Sequence, residues 1–281
     1  MKNAAELLPH DAEAHGNLAA ALRALGLLDD AVASGRRALK INPNFAEAHN
    51  NLGVALQDLG QLDDAVASYR RAISIKPDFS EAHNNLGSAL KELGQLDNGL
   101  ASYSRALQIN PDFAKARSNF LQVLNYSTNY SVSYGLEQAQ QYGRMAAKKV
   151  TSRFSAWHCA AKPERLRVGM VSGDLNNHPV GYFLESLLAH LDQTRVELIA
   201  YPTVHMEDKL STRIKPCFAA WKPLSGLSDA AAARLIHADG VHVLIDLSGH
   251  TAHNRLPVFA WKPAPVQVSW LGYFATTGVA E

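Results

Sequence analysis

The chain has 281 residues, 47% of them hydrophobic and 19% charged, with a formal net charge of +1. That length fits about two domains of roughly 100–200 residues, the composition is that of a globular protein, and the near-neutral balance gives no electrostatic ground for a nucleic-acid or acidic-membrane partner. The two cysteines, Cys159 and Cys217, are too few for a disulfide framework.

The opening "MKNAAELLPHDAEAH" lacks the apolar core and cleavage site of a signal peptide. No apolar run reaches the ~20 residues of a membrane helix. The expectation is a soluble, cytoplasmic protein. Prolines then fall at 43, 77 and 111, a spacing of 34, with Pro9 one period earlier. The same period aligns Ala14, Ala48, Ala82 and Ala116, and also Gly26, Gly60 and Gly94. Self-similarity at 34 residues is the mark of tetratricopeptide repeats. Full units are placed at 12–45, 46–79 and 80–113, within a repeat region spanning 1–120. The piece "AAELLPHDAEAH" resembles the tail of a preceding unit.

Each unit reads as two helices. In 46–79, Leu52, Ala55, Leu56 and Leu59 recur at helical spacing and Gly60 ends the first helix. Ala65, Tyr69 and Ala72 form one stripe of the second, and Pro77 stops it. A lone hairpin cannot bury its apolar face, so the units stack into a superhelix with a concave surface. Asn17, Asn51, Asn85 and Asn119 share one register. Their amides carry donors and an acceptor, and so suit a peptide backbone of any sequence. A solvated or helix-capping role accounts for the same spacing. His15, His49 and His83 also recur and read as packing positions.

Residues 121–163 read as a helical connector, with a Tyr/Ser-rich piece followed by "LEQAQQYGRMAAKKV". From 164 to 281 strand and helix patterns alternate. Candidate strands are 166–172, 196–202, 241–247 and 266–272; candidate helices are 180–191, 228–238 and, weaker, 208–216. Apolar strands alternating with amphipathic helices predict a parallel α/β sheet. Ligands of such sheets bind beyond the carboxyl ends of the strands. The polar clusters "SGDLNNHP", "DLSGHTAHN" and "GYFATTG" fall there, which makes His250 and Thr251 cleft candidates. Asp174 and His178 suit an acid/base pair; a turn cap and a helix-entry residue would leave the same trace. No G-x-G-x-x-G occurs. His237, His242, His250 and His253 have metal-like spacings, but no carboxylate or cysteine stands in register with them.

The run from the repeats into "LRVGMVSGDLNNHPVGYFLESLL", and then "KPAPVQVSWLGY", resembles the O-linked N-acetylglucosamine transferase and SPINDLY family over nearly the whole chain. The resemblance implies a repeat superhelix followed by the first, Rossmann-like α/β half of a two-domain GT-B glycosyltransferase. It implies an inverting protein O-glycosyltransferase that moves N-acetylglucosamine from a UDP-sugar to Ser or Thr, with no metal or other cofactor. Acceptor polypeptides would lie along the repeats. Asp174 and His178 match the family's catalytic carboxylate and histidine, and Leu271 and Gly272 match the loop that approaches the donor sugar. Two local departures are Ser127, where the family often has His, and Phe274–Ala275, in place of Pro-Gly. The second α/β domain, with most UDP contacts and a catalytic lysine, is not in the chain, so 281 residues alone are expected to be inactive. A repeat scaffold without catalysis is the alternative.

Overall fold

The computed structural model describes residues 10–280, and the described residues fall into two compact units that meet in sequence at Asn129 and Tyr130. Pro9 and residues 4–8 of the partial unit lie outside the described residues.

Among the described residues the first unit holds seven helices: α1 (Ala12–Ala24), α2 (Leu28–Ile41), α3 (Ala46–Asp58), α4 (Leu62–Ile75), α5 (Ser80–Glu92), α6 (Leu96–Ile109) and α7 (Ala114–Leu124). Asp11 caps α1 by accepting from the backbone of Glu13 and Ala14. The glycines at 26, 60 and 94 adopt φ of +76°, +76° and +75°. Each ends a first helix in a Schellman pattern, for example Gln61 N–H to the Leu56 carbonyl and Gly60 N–H to the Gln57 carbonyl. Second helices pack on first helices through small positions. Tyr69 and Tyr103 are fully buried, and their rings lie where a Cβ on Gly53 or Gly87 would stand. Successive first helices touch one another directly, so they form the inner row of the superhelix.

The second unit begins with α8 (Val132–Lys148), capped by Ser131. A five-stranded parallel sheet follows. Its elements are β1 (Leu166–Ser172), α9 (Pro179–Leu188), β2 (Val196–Pro202), α10 (Lys209–Ile214), β3 (Ala220–Trp221), α11 (Asp229–Ala238), β4 (Val243–Asp246), α12 (Leu256–Phe259) and β5 (Val266–Ser269). The strand order is β3-β2-β1-β4-β5. Alternation along the strands fills two cores. Val168, Met170, Leu198 and Ala200 meet Leu184 and Leu188 of α9 and Leu210 and Ile214 of α10. Val171, Ile199 and Tyr201 meet Ala232 and Ile236 of α11 and Val258 and Phe259 of α12.

Several element boundaries differ from the sequence reading. Strand 241–247 pairs only over Val243–Asp246, and strand 266–272 only to Ser269, because Leu271 turns to φ +72°. Helix 180–191 closes at Ala189. Helix 208–216 is α10 with Asp208 as its cap, tightening to a 3₁₀ turn at Lys215–Cys217, where Pro216 has no N–H to give. Strand β3 and helix α12, of two and four residues, have no counterpart in the reading. Helix α8 falls in the span read as a connector and packs inside this unit, against α12. Both cysteines are free, and no helix of the described residues is long and apolar enough to cross a membrane.

Candidate active site

The chain runs from β1 to β2 and β3 on one side of β1, then returns to lay β4 on the other. The β1–β4 gap is therefore the topological switch point, where diverging loops open a crevice. Two of the three polar loops noted in the sequence, those after β1 and β4, leave the sheet there. Ser172, Asp246 and Ser248 are buried at its rim.

The β1 loop is held from several directions. Asp174 N–H donates to Ser172 Oγ at 2.9 Å, and Gly173 N–H donates to Ser248 Oγ at 3.3 Å. Asn176 Nδ2 donates to the Gly173 carbonyl at 2.9 Å. Asn177 N–H donates to Asp208 Oδ2 at 2.5 Å, while Asn177 Oδ1 accepts from the Tyr182 hydroxyl at 2.9 Å. His178 caps α9: its Nδ1 accepts from Val180 N–H at 3.3 Å. A neutral His178 ring therefore carries its proton on Nε2. Its Nδ1 stands 3.9 Å from Asp174 Oδ1. Asp174 is mostly buried, and its Oδ2 has no hydrogen-bond partner among the described residues. Burial pushes its carboxyl above the usual range, and His178 and His253 pull it part of the way back. An unsatisfied, partly desolvated carboxylate beside an imidazole is chemically able to accept a proton from a group brought within reach.

Asp246 was not singled out in the sequence, where it reads as the polar end of a strand. It is 1% exposed and accepts from Ser248 N–H (3.2 Å), Gly249 N–H (2.8 Å) and Ser269 Oγ (2.7 Å), tying the ends of β4 and β5 together. Burial raises its pKa, and Asp174 adds to the shift. Leu271 packs on the core that includes Leu175 and Leu247. Gly272 lies against the Leu247 carbonyl, where a Cβ would overlap backbone. Gly272→Ala is therefore expected to cost about 1–3 kcal/mol, since neither partner is a movable side chain. It should also displace the loop after β5. Thermal unfolding and limited proteolysis within 270–279 check this; wild-type values in both would refute it. Thr251 closes the β4 turn by donating to the Ser248 carbonyl at 2.8 Å. His250, a cleft candidate from sequence, is instead 1% exposed and lies beneath the rim. Phe274 projects outward, 70% exposed.

The remaining candidates occupy other places. His237 stacks on Phe154 and contacts the Ala156 carbonyl, and His242 bridges Arg167 N–H and the Ala160 carbonyl. Among the described residues, no three His, Cys, Asp or Glu side chains stand together as a metal-ligand set. Ser127 accepts from Asn129 N–H in the turn after α7. In the repeat unit, Asn85 Nδ2 donates to Asn50 Oδ1 at 3.0 Å, and Asn119 Nδ2 to Asn84 Oδ1 at 3.0 Å. Asn84 in turn donates to Asn85 Oδ1 at 3.2 Å. The ladder thus has a second register, Asn50 and Asn84, that sequence reasoning passed over. Its equivalent facing Asn51 is Gly16, which offers no amide, and Asn17 is exposed.

Residues 140–280 match the family model for glycosyl transferase family 41, and residues 21–60, 55–94 and 80–113 match tetratricopeptide-repeat models. A tomato (Solanum lycopersicum) protein named a probable UDP-N-acetylglucosamine–peptide N-acetylglucosaminyltransferase SPINDLY is 35% identical over 164 residues, 57% of this chain and 18% of its own length. A Caenorhabditis elegans UDP-N-acetylglucosamine–peptide N-acetylglucosaminyltransferase is 38% identical over 118 residues, 41% of this chain and 10% of its own. A solved mutant of the Thermobaculum terrenum O-GlcNAc transferase superposes with a TM-score of 0.85 at 34% identity, covering 95% of this chain and 51% of that one. The chain thus spans about half the length of that solved protein and less than a fifth of these two curated relatives.

Proposed function

The chain belongs to glycosyl transferase family 41, and from that premise we propose that it is the acceptor-side part of a cytoplasmic protein O-glycosyltransferase using a UDP-sugar, N-acetylglucosamine by analogy with its relatives. The buried, unpartnered Oδ2 of Asp174 beside His178 at the β1–β4 crevice carries the reading. A Ser or Thr hydroxyl is a weak nucleophile until its proton is taken. Asp174 takes that proton as the oxygen attacks the anomeric carbon from the face opposite the leaving group. The carbon–oxygen bond to UDP breaks, UDP leaves with the electron pair, and the configuration inverts. His178 offers Nε2–H to a developing negative oxygen. The donor is a substrate, and this scheme uses no resident metal or cofactor. The asparagine ladder holds the acceptor backbone without reading its sequence.

The purified 281-residue chain, given UDP-GlcNAc and a Ser/Thr-rich peptide, is expected to transfer no sugar, because it spans only about half of the related transferase and offers the departing UDP no donor beyond His178. Transfer by this chain alone would overturn the half-site assignment. Transfer by a longer gene product carrying these residues supports the function. Failure of that product with every UDP-sugar tried would refute it.

A further inference from the structure

The segment after β5, residues 271–279, is threaded through its own unit with almost no clearance. On one side a Cβ on Gly249 (φ +56°) would strike Tyr273, and one on Gly272 would strike the Leu247 carbonyl. On the other side a Cβ on Gly143 of α8 would strike the Gly278 carbonyl, and one on Gly278 (φ +77°) the Ala139 carbonyl. Steric confinement alone does not set the position of a chain along its groove; a directional bond does.

His250 supplies one. Its Nε2 lies 3.0 Å from the Thr277 carbonyl, which can only accept, so Nε2 carries the proton. The ring is set edge-on to Tyr142 (centroids 4.6 Å apart, 89°) and to Tyr273 (5.2 Å, 83°), one from α8 and one from the segment itself. Burial pushes the imidazole pKa down to about 4, which keeps it neutral at ordinary pH. Buried, it cannot touch a ligand; it can only hold what does.

We propose that His250 is a positioning residue: by gripping the Thr277 carbonyl against the wall formed by α8, it fixes segment 271–279 where the sugar donor rests on it. The donor's place rests on the function proposed above; the grip does not. An aromatic of similar size would fill the space between the tyrosines without the bond. Glutamine would restore an amide donor at nearly the same reach.

The test is hydrogen exchange of the 281-residue chain, comparing peptides over 271–279 with peptides over β1. His250→Phe is expected to speed exchange in 271–279 about three- to tenfold, the weight of one net hydrogen bond, with β1 unchanged. His250→Gln should bring it back to within about twofold, and a long-range ¹H–¹⁵N spectrum of the wild type should show the Nε2–H tautomer. Wild-type exchange in His250→Phe overturns the grip, as does equal loosening of 271–279 and β1 in both variants. In a transfer-competent gene product, His250→Phe should raise KM for the UDP-sugar more than it lowers kcat. An unchanged KM overturns the positioning role. Absence of transfer by the unsubstituted product overturns the parent function and the donor's part in this inference, while the exchange result stands by itself.

Discussion

Asp174→Asn is expected to lower glycosyl transfer about 10²–10⁴-fold in a gene product that carries these residues, the range for loss of a positioned proton acceptor. The substitution is nearly isosteric. The loop's anchor at this residue is the backbone N–H that donates to Ser172 Oγ, and it survives the change. Stability should not fall. Burial holds the Asp174 carboxyl above the ordinary range, so between the unfolded and folded pKa values the native state binds more protons than the unfolded state. The wild type therefore loses stability as pH rises through that window. Asp174→Asn should match or exceed the wild-type Tm at neutral pH, and the gap should close in acid, where the wild-type carboxyl is also neutral. On the acid side, wild-type kcat/KM should decline as Asp174 protonates, and the variant's residual rate should lack that limb. His178→Asn serves as the companion variant, because Asn keeps the N-cap of α9 while removing the imidazole. Transfer within a few-fold of wild type in Asp174→Asn would remove Asp174 from the chemistry.

What the sequence discloses here follows the length scale of each signal. The repeats are legible because Gly26, Gly60 and Gly94 must each accept a left-handed conformation at the same point of the period. The long strands are legible as continuous apolar runs buried on both faces, and α11 by the helical period of its buried residues. Strand β3 and helix α12 are not, since two and four residues hold no period. The site was half visible. Asp174 and His178 share one loop, so their proximity is local and i,i+4 spacing already implies it. That β4 lies beside β1 is a matter of strand order, which no local pattern encodes, and it is what converts two polar loops into one crevice. Asp246 and His250 look exposed in a polar stretch, yet both are enclosed by β5 and the segment that follows it. Asn50 and Asn84 escaped notice because Gly16 breaks their register after two repeats.

Tyr103→Ala is expected to destabilise the repeat unit by about 3–5 kcal/mol, the range for deleting a large buried ring. Tyr103 is fully buried, and its ring occupies the place of the Cβ that Gly87 lacks, so no neighbouring side chain can move in to refill the space. Its hydroxyl donates to Ser88 Oγ at 3.1 Å, and burial pushes its pKa up to about 12. Tyr103→Phe should cost only about 1 kcal/mol, because Ser88 Oγ still donates to the Asn84 carbonyl. The contrast separates volume from hydrogen bonding. The loss falls between α5 and α6, in the interior of a stacked array whose stability is a sum of neighbour terms. It is also a large share of the 5–15 kcal/mol that holds a typical domain together. Helix α5 carries Asn84 and Asn85, so acceptor capture should weaken along with stability. Urea unfolding followed by helical circular dichroism measures the first effect, and peptide-binding titration the second. A Tyr103→Ala chain that unfolds within about 1 kcal/mol of wild type would show that the Gly87–Tyr103 contact is not what locks this repeat.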